Sequence, residues 1–169
     1  MAAGAEPTDG AMNTRRRFLL LATHAATGAA GFAAGIYTLP ILIAPEPPSA
    51  AEVAAAAGTA RFKGRFVRDL PGSDALHWGE GEVAIGARAI SLQGRVSPGP
   101  DYKLYLVPEF VQTEAEFGRI KPRARRIGDV KTFENFVVPL PEGVDPADYN
   151  TVLVWCERFR EFISAARYR

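Results

Sequence analysis

Asp148-Tyr149-Asn150-Thr151-Val152-Leu153-Val154-Trp155-Cys156-Glu157-Arg158-Phe159 is the stretch whose reading decides the fold, and it carries the chain's single cysteine. Side chains alternate along a strand, so Val152, Val154 and Cys156 share one face while Leu153 and Trp155 share the other. A strand apolar on both faces is covered on both sides and belongs in the middle of a sheet. This reading places the thiol near the heart of its domain. It makes Trp155, on the opposite face, a packing anchor rather than an electron relay.

Outward from this strand, short apolar stretches recur over 61–67, 77–85, 87–92, 102–107 and 133–140, each of strand length and composition. Pro71-Gly72 marks a turn between two of them, and Ser97-Pro98-Gly99-Pro100 a loop. The segment 109–131 is the least periodic, and 159–166 reads as a closing strand or a short helix. Short strands with Gly and Pro turns over roughly 110 residues predict an all-β domain. The expected form is an antiparallel β-sandwich, with jelly-roll or barrel-like arrangements as its variants.

Ahead of the β pattern lies a run over 18–45 without formal charge. It is roughly 28 residues long, against about 20 that a helix needs to cross a bilayer. Thr14-Arg15-Arg16-Arg17-Phe18-Leu19 opens it and resembles the twin-arginine export signal, in which Ser or Thr, two arginines, any residue, Phe and Leu precede a mildly hydrophobic segment. Leu20 stands where a Lys usually follows. Such a signal implies export of an already folded domain. An ordinary signal anchor, its arginines holding the start inside, is the alternative. The run exceeds the apolar stretch of about 7 to 15 residues in a removed signal peptide, which favours a retained anchor over cleavage near Ser49-Ala50-Ala51. The expected organisation is a cytoplasmic n-region over 1–17, a signal or transmembrane helix over 18–45, an Ala-rich linker over 46–59 and a β domain over 60–169. The expected location is a bacterial inner membrane with the β domain in the periplasm or other extracytoplasmic space, or secretion after cleavage.

Composition narrows the chemistry. At 169 residues and 47% hydrophobic, the chain supports one globular core and not two. Its 20 basic and 19 acidic side chains give no reason to expect a nucleic-acid partner. Met1 and Met12 precede the apolar run and His24 lies within it, so the globular part offers one His, His77, and one Cys, Cys156. A blue-copper centre, a Cys and His zinc site, covalent haem attachment and an iron–sulfur cluster are all short of ligands, and no metal site is established. Gly79-Glu80-Gly81 is too short for a nucleotide fingerprint, and no Gly-x-Ser-x-Gly elbow exists. What survives is Cys156 acting as a thiol, or a non-covalent cofactor such as haem with Cys156 or His77 as axial ligand.

Gly99-Pro100-Asp101-Tyr102-Lys103-Leu104-Tyr105-Leu106 and the 149–159 stretch resemble the two hallmark segments of the electron-transfer DM-thirteen domain family. The family pattern is Gly-Pro-Asp, a few residues and Tyr-Leu, then a Tyr, a hydrophobic strand, Trp-Cys and a following Phe. Gly64-Arg65-Phe66 and His77 with Gly81 resemble its opening, a Gly-x-Phe strand and a His-x-x-x-Gly hairpin. The resemblance spans about 60–168. Ile163 stands where a Gly often follows the closing Phe, and the basic stretch over 121–131 is less typical. The resemblance implies an all-β extracytoplasmic domain whose Cys takes part in redox chemistry, bare or through a prosthetic group such as haem. In animals and plants such domains accompany DOMON and cytochrome-type modules. Carried over, Cys156 is the redox and cofactor-binding candidate, with Trp155 as its neighbour and His77 as a secondary candidate.

The expected function is a membrane-associated, extracytoplasmic electron-transfer component rather than a turnover enzyme. Its expected partners are the membrane, through 18–45, a redox partner protein, and a second copy linked through Cys156. The alternative is a non-catalytic sandwich that binds a ligand or partner, its Cys156 packed as a small hydrophobe. Burial disfavours a thiolate, so a reactive Cys156 calls for a metal or a nearby cation, Arg158 or His77. Lys121, Arg123, Arg125 and Arg126 read as a solvated loop, or as a docking patch for an acidic partner or anionic headgroups.

Overall fold

The computed structural model describes residues 14–169, and residues 1–13 of the expected n-region lie outside the described part. The chain divides into two compact units, Met1–Ile36 and Tyr37–Arg169. Helix α1 (Thr14–Ile43) carries the arginines and the apolar run in one continuous helix. None of its residues is buried, Phe18, Leu21 and Phe32 among them. Its 30 residues span about 45 Å at the helical rise. That exceeds the roughly 30 Å of a bilayer's hydrocarbon core, so α1 is long and apolar enough to cross a membrane. Pro40 sits inside its last turn, where the missing N–H removes one helical hydrogen bond.

The second unit is built on two antiparallel four-stranded sheets. One has the order β1 (Ala60–Phe66), β2 (Gly79–Gly86), β3 (Ala89–Val96), β6 (Glu134–Pro139). The other runs β5 (Arg125–Val130), β4 (Tyr102–Val107), β7 (Thr151–Cys156), β8 (Glu161–Arg167). Val83, Ile85 and Leu92 from the first sheet and Leu104, Val152 and Val154 from the second are fully buried in one core. Each such side chain contributes about 1.5–3 kcal/mol. The fold is thus the expected β-sandwich behind an apolar helix.

A second core covers the other face of β7. Leu153, Trp155, Tyr105 and Phe162 pack there with Phe117 of α3 (Glu114–Ile120) and Leu70 of the 67–78 loop. With β4 on one side and β8 on the other, every residue of β7 is buried, as two apolar faces require.

Elsewhere the structure departs from the pattern. The 46–59 stretch, read as linker, contains α2 (Ala50–Ala57), which packs against β2, β3 and β6. Ser49 and Glu52 form a capping box at its start, and Val53, 1% exposed, is its buried anchor. The aperiodic 109–131 segment holds α3 and the edge strand β5, so Arg125 and Arg126 lie on a strand and not in a solvated loop. β5 is hard to read because only Ile127 and Val130 are buried and its pairing shifts register between Leu104 and Tyr105. The 159–166 alternative resolves to strand β8. β2 begins at Gly79, which leaves His77 in the bend before it.

Candidate functional site

Cys156 is the last residue of β7, facing Tyr102 at the start of β4 and Glu161 at the start of β8. The thiol is therefore at one end of the sandwich and not at its middle. The periodic face Val152, Val154, Cys156 runs out there, at the 157–160 turn. Cys156 is still only 2% exposed.

Burial is the strongest influence on the thiol and pushes its pKa up. Backbone N–H groups of Phe159, Arg158 and Asp101 act the other way, without overcoming it. Two of these donors come from the turn that follows the strand, in which Arg160 adopts a left-handed φ of 60°. The third comes from the segment before β4. Arg158 thus bears on the sulfur through its backbone, and hydrogen-bonding dipoles stand where a side-chain cation was expected.

The Gly-Pro-Asp-Tyr segment clamps this end of β7. A Cβ at Gly99 would fall 2.4 Å from the Tyr102 ring, so only glycine fits the turn as it stands. The Asp101 carbonyl accepts the Glu157 N–H at 3.0 Å. Tyr102 is 3% exposed, its hydroxyl lies 3.4 Å from Ser97 Oγ, and burial pushes its pKa up. Ser97 Oγ in turn accepts the Trp78 N–H at 3.2 Å, which ties the 67–78 loop to the same end.

His77 belongs to that loop. Its Nδ1 lies 2.9 Å from Asp74 Oδ2, and its backbone N–H donates to Asp74 Oδ1 at 2.8 Å. The hydrogen bond from His77 is the main reason the Asp74 carboxyl lies below its ordinary range. The structure joins His77 to Asp74, with no contact to Cys156 that would make the two a pair of ligands.

Trp155 packs on the opposite face, its ring centroid 4.8 Å from that of Phe117. Its Nε1 is buried without a hydrogen-bond partner among the described residues. Lys121 Nζ lies over the Trp155, Tyr105 and Phe117 rings at 5.3, 5.8 and 6.0 Å, and 2.6 Å from Glu157 Oε2. The Tyr105 hydroxyl donates to Glu157 Oε1. Burial alone would raise Glu157, but the bonds from Lys121 and Tyr105 and the Lys121 charge hold it below the usual carboxylate range. Lys121 is therefore paired rather than loose, as are Arg123 with Glu109 and Arg126 with Asp129. This network, which the sequence did not reveal, joins residues 36 apart. The neighbouring Glu114 carboxyl, and then burial, hold the Glu161 carboxyl above its ordinary value.

Among the described residues no group of three or more His, Cys, Asp or Glu side chains is placed to hold a metal ion. The surroundings of Cys156, 2% exposed, do not fit a haem ligated by its sulfur. A hollow of about 250 Å³ at this end is lined by residues such as Pro40, Pro45, Asp101, Tyr102 and Asp129. A second, of about 550 Å³, is lined by Arg68, Leu70, Asp74 and Trp78 among others. Neither Cys156 nor His77 lines either one, and the sulfur is enclosed by the core and by backbone.

An antiparallel two-sheet sandwich with one buried thiol at the end of a central strand defines the class. The chain belongs to the electron transfer DM13 family, whose model matches residues 66–168. No curated protein and no solved structure matches it.

Proposed function

We propose that the protein is a membrane-tethered electron-transfer module on the outer face of a bacterial inner membrane, with Cys156 as its redox thiol. The family supports the redox role, and α1 with Thr14-Arg15-Arg16-Arg17-Phe18-Leu19 supports export by the twin-arginine route and retention as an anchor. The observation that carries the proposal is the place of the single free cysteine, at the end of central strand β7 beneath the 157–160 turn, in a domain of the electron transfer DM13 family. In the proposed chemistry the thiol gives its proton to water, and the thiolate displaces one sulfur of a partner protein's disulfide. A mixed disulfide forms and the partner's second thiolate leaves. At 2% exposure, this attack requires the 157–160 turn to lift.

Native full-length protein treated with an aromatic disulfide tests the reading by mass and rate. Modification at Cys156 without denaturant, faster as pH rises, is the expected result, because a raised pKa leaves little thiolate at neutral pH. Modification only after unfolding would select a second reading, favoured by the same burial: a binding sandwich whose Cys156 is packing. A reducible dimer on a gel would assign the thiol to self-association.

A further inference from the structure

We infer that the end of the sandwich bearing Cys156 is a membrane-docking surface, seated on anionic lipid headgroups through the tip of the β7–β8 hairpin. The inference rests on the anchored reading of α1. The large hydrophobic side chains exposed on the β domain are Val67, Leu76 and Phe159. All three lie at the same end. Val67 follows β1 where Phe66 pairs with Gly81, Leu76 lies in the loop tied to Ser97, and Phe159 sits in the turn after Cys156. Exposed apolar side chains gathered on one end of a domain mark an interaction surface.

Two observations name the bilayer as occupant. The first is continuity with α1: Pro40, Ile43 and Pro45, at and just beyond its end, line the hollow with Asp101, Tyr102 and Lys131. The chain leaves its apolar helix at the Cys156 end. The second is charge. Lys131, Arg158 and Arg160 are exposed there and form no ion pair among the described residues. Of the carboxylates at this end, Asp101 and Asp129 are engaged by Lys103, at 2.6 and 3.0 Å, and Asp74 by His77, while Asp69 and Glu134 are exposed without an ion pair among the described residues. Arg158-Phe159-Arg160 thus offers one aromatic ring flanked by two cations, the pairing that suits the boundary between headgroups and acyl chains. Docked this way, the thiol lies beside the bilayer surface, and a lipid contact at the turn is positioned to control access to it.

The test uses the full chain in phosphatidylglycerol vesicles. A spin label replaces Phe159 (Phe159→Cys in a Cys156→Ala background), and a control label replaces Glu142, which is exposed in the turn at the opposite end (Glu142→Cys). Expected is a label at 159 open to oxygen and shielded from a water-soluble nickel chelate, with the reverse at 142. Arg158→Glu with Arg160→Gly lowers the docking equilibrium roughly 150-fold, since it removes two cations and adds one anion and each charge near an anionic surface is worth about a factor of five. The Gly removes a left-handed φ that costs a non-Gly residue, so this variant is not expected to misfold. The unaltered protein supplies a second readout: amide exchange over 157–160 slows in anionic but not in zwitterionic vesicles. A chain that floats with vesicles yet carries a water-exposed label at 159 overturns the docking and leaves the anchor standing. A label immobilised but open to water assigns the tip to a protein contact and also overturns it. A chain that does not float overturns the anchor, and the docking with it.

Discussion

At the scale of single residues, the sulfur's environment is set by neighbours that are remote in sequence. Asp101 precedes Cys156 by more than fifty positions, yet its N–H bears on the thiol and its carbonyl holds Glu157. The turn that delivers Asp101 depends on Gly99. Gly99→Ala sets a methyl group 2.4 Å from a buried ring and is expected to cost about 1–3 kcal/mol in urea unfolding. It should also speed disulfide exchange at Cys156, because the clamp loosens. Unchanged stability and reactivity would contradict the clamp. The opposite faces of Cys156 and Trp155 were legible in period two alone. The tie of His77 to Asp74 was not read, although an Asp three residues before a His is the local signal for such a cap. Lys121 with Glu157 left no local signal, because their meeting depends on how α3 lies against β7.

Elements show the same division. β4 and β7 lie where the runs over 102–107 and 151–156 predicted, since strands covered on both faces are nearly continuous in apolar residues. β5 escaped because an edge strand with Arg125, Arg126 and Asp129 exposed reads as charge, not as strand. α2 escaped because an Ala-rich stretch shows one large apolar residue and no periodic stripe. The C-cap residue of α3, strand β4 and the residue after β7 meet in the Lys121–Glu157–Tyr105 network, and this sets a pH dependence. The Glu157 carboxyl is depressed in the folded state, so its contribution is present above the ordinary value of 4.5 and is lost as pH falls through the folded one. Lys121→Met removes the main stabilising partner. It should lower urea stability at neutral pH, with a penalty that shrinks as pH drops below about 4.5. A penalty equal at neutral and acid pH would show that Lys121 acts by packing alone.

For the molecule as a whole, one end of the β domain gathers the thiol, the exit of the apolar helix and the domain's exposed large apolar side chains. The composition break at position 18 made the apolar helix legible, and the strand pattern made the sandwich legible. That both converge on one end was not, because a sequence does not state which loops share an end of a barrel or sandwich. If the twin-arginine route exports the folded chain, Arg15→Lys with Arg16→Lys should block appearance of the β domain outside the cytoplasm, as read by protease protection in cells. Export that persists would assign the segment to an ordinary signal anchor. The central claim is that Cys156 changes redox state in service. Its most direct test is acid quenching of host cells held at high and low respiratory electron supply, followed by maleimide labelling of the denatured full-length chain. A maleimide-blocked fraction at Cys156 that rises and falls with that supply is the predicted result, and a thiol found fully reduced under both conditions would contradict it.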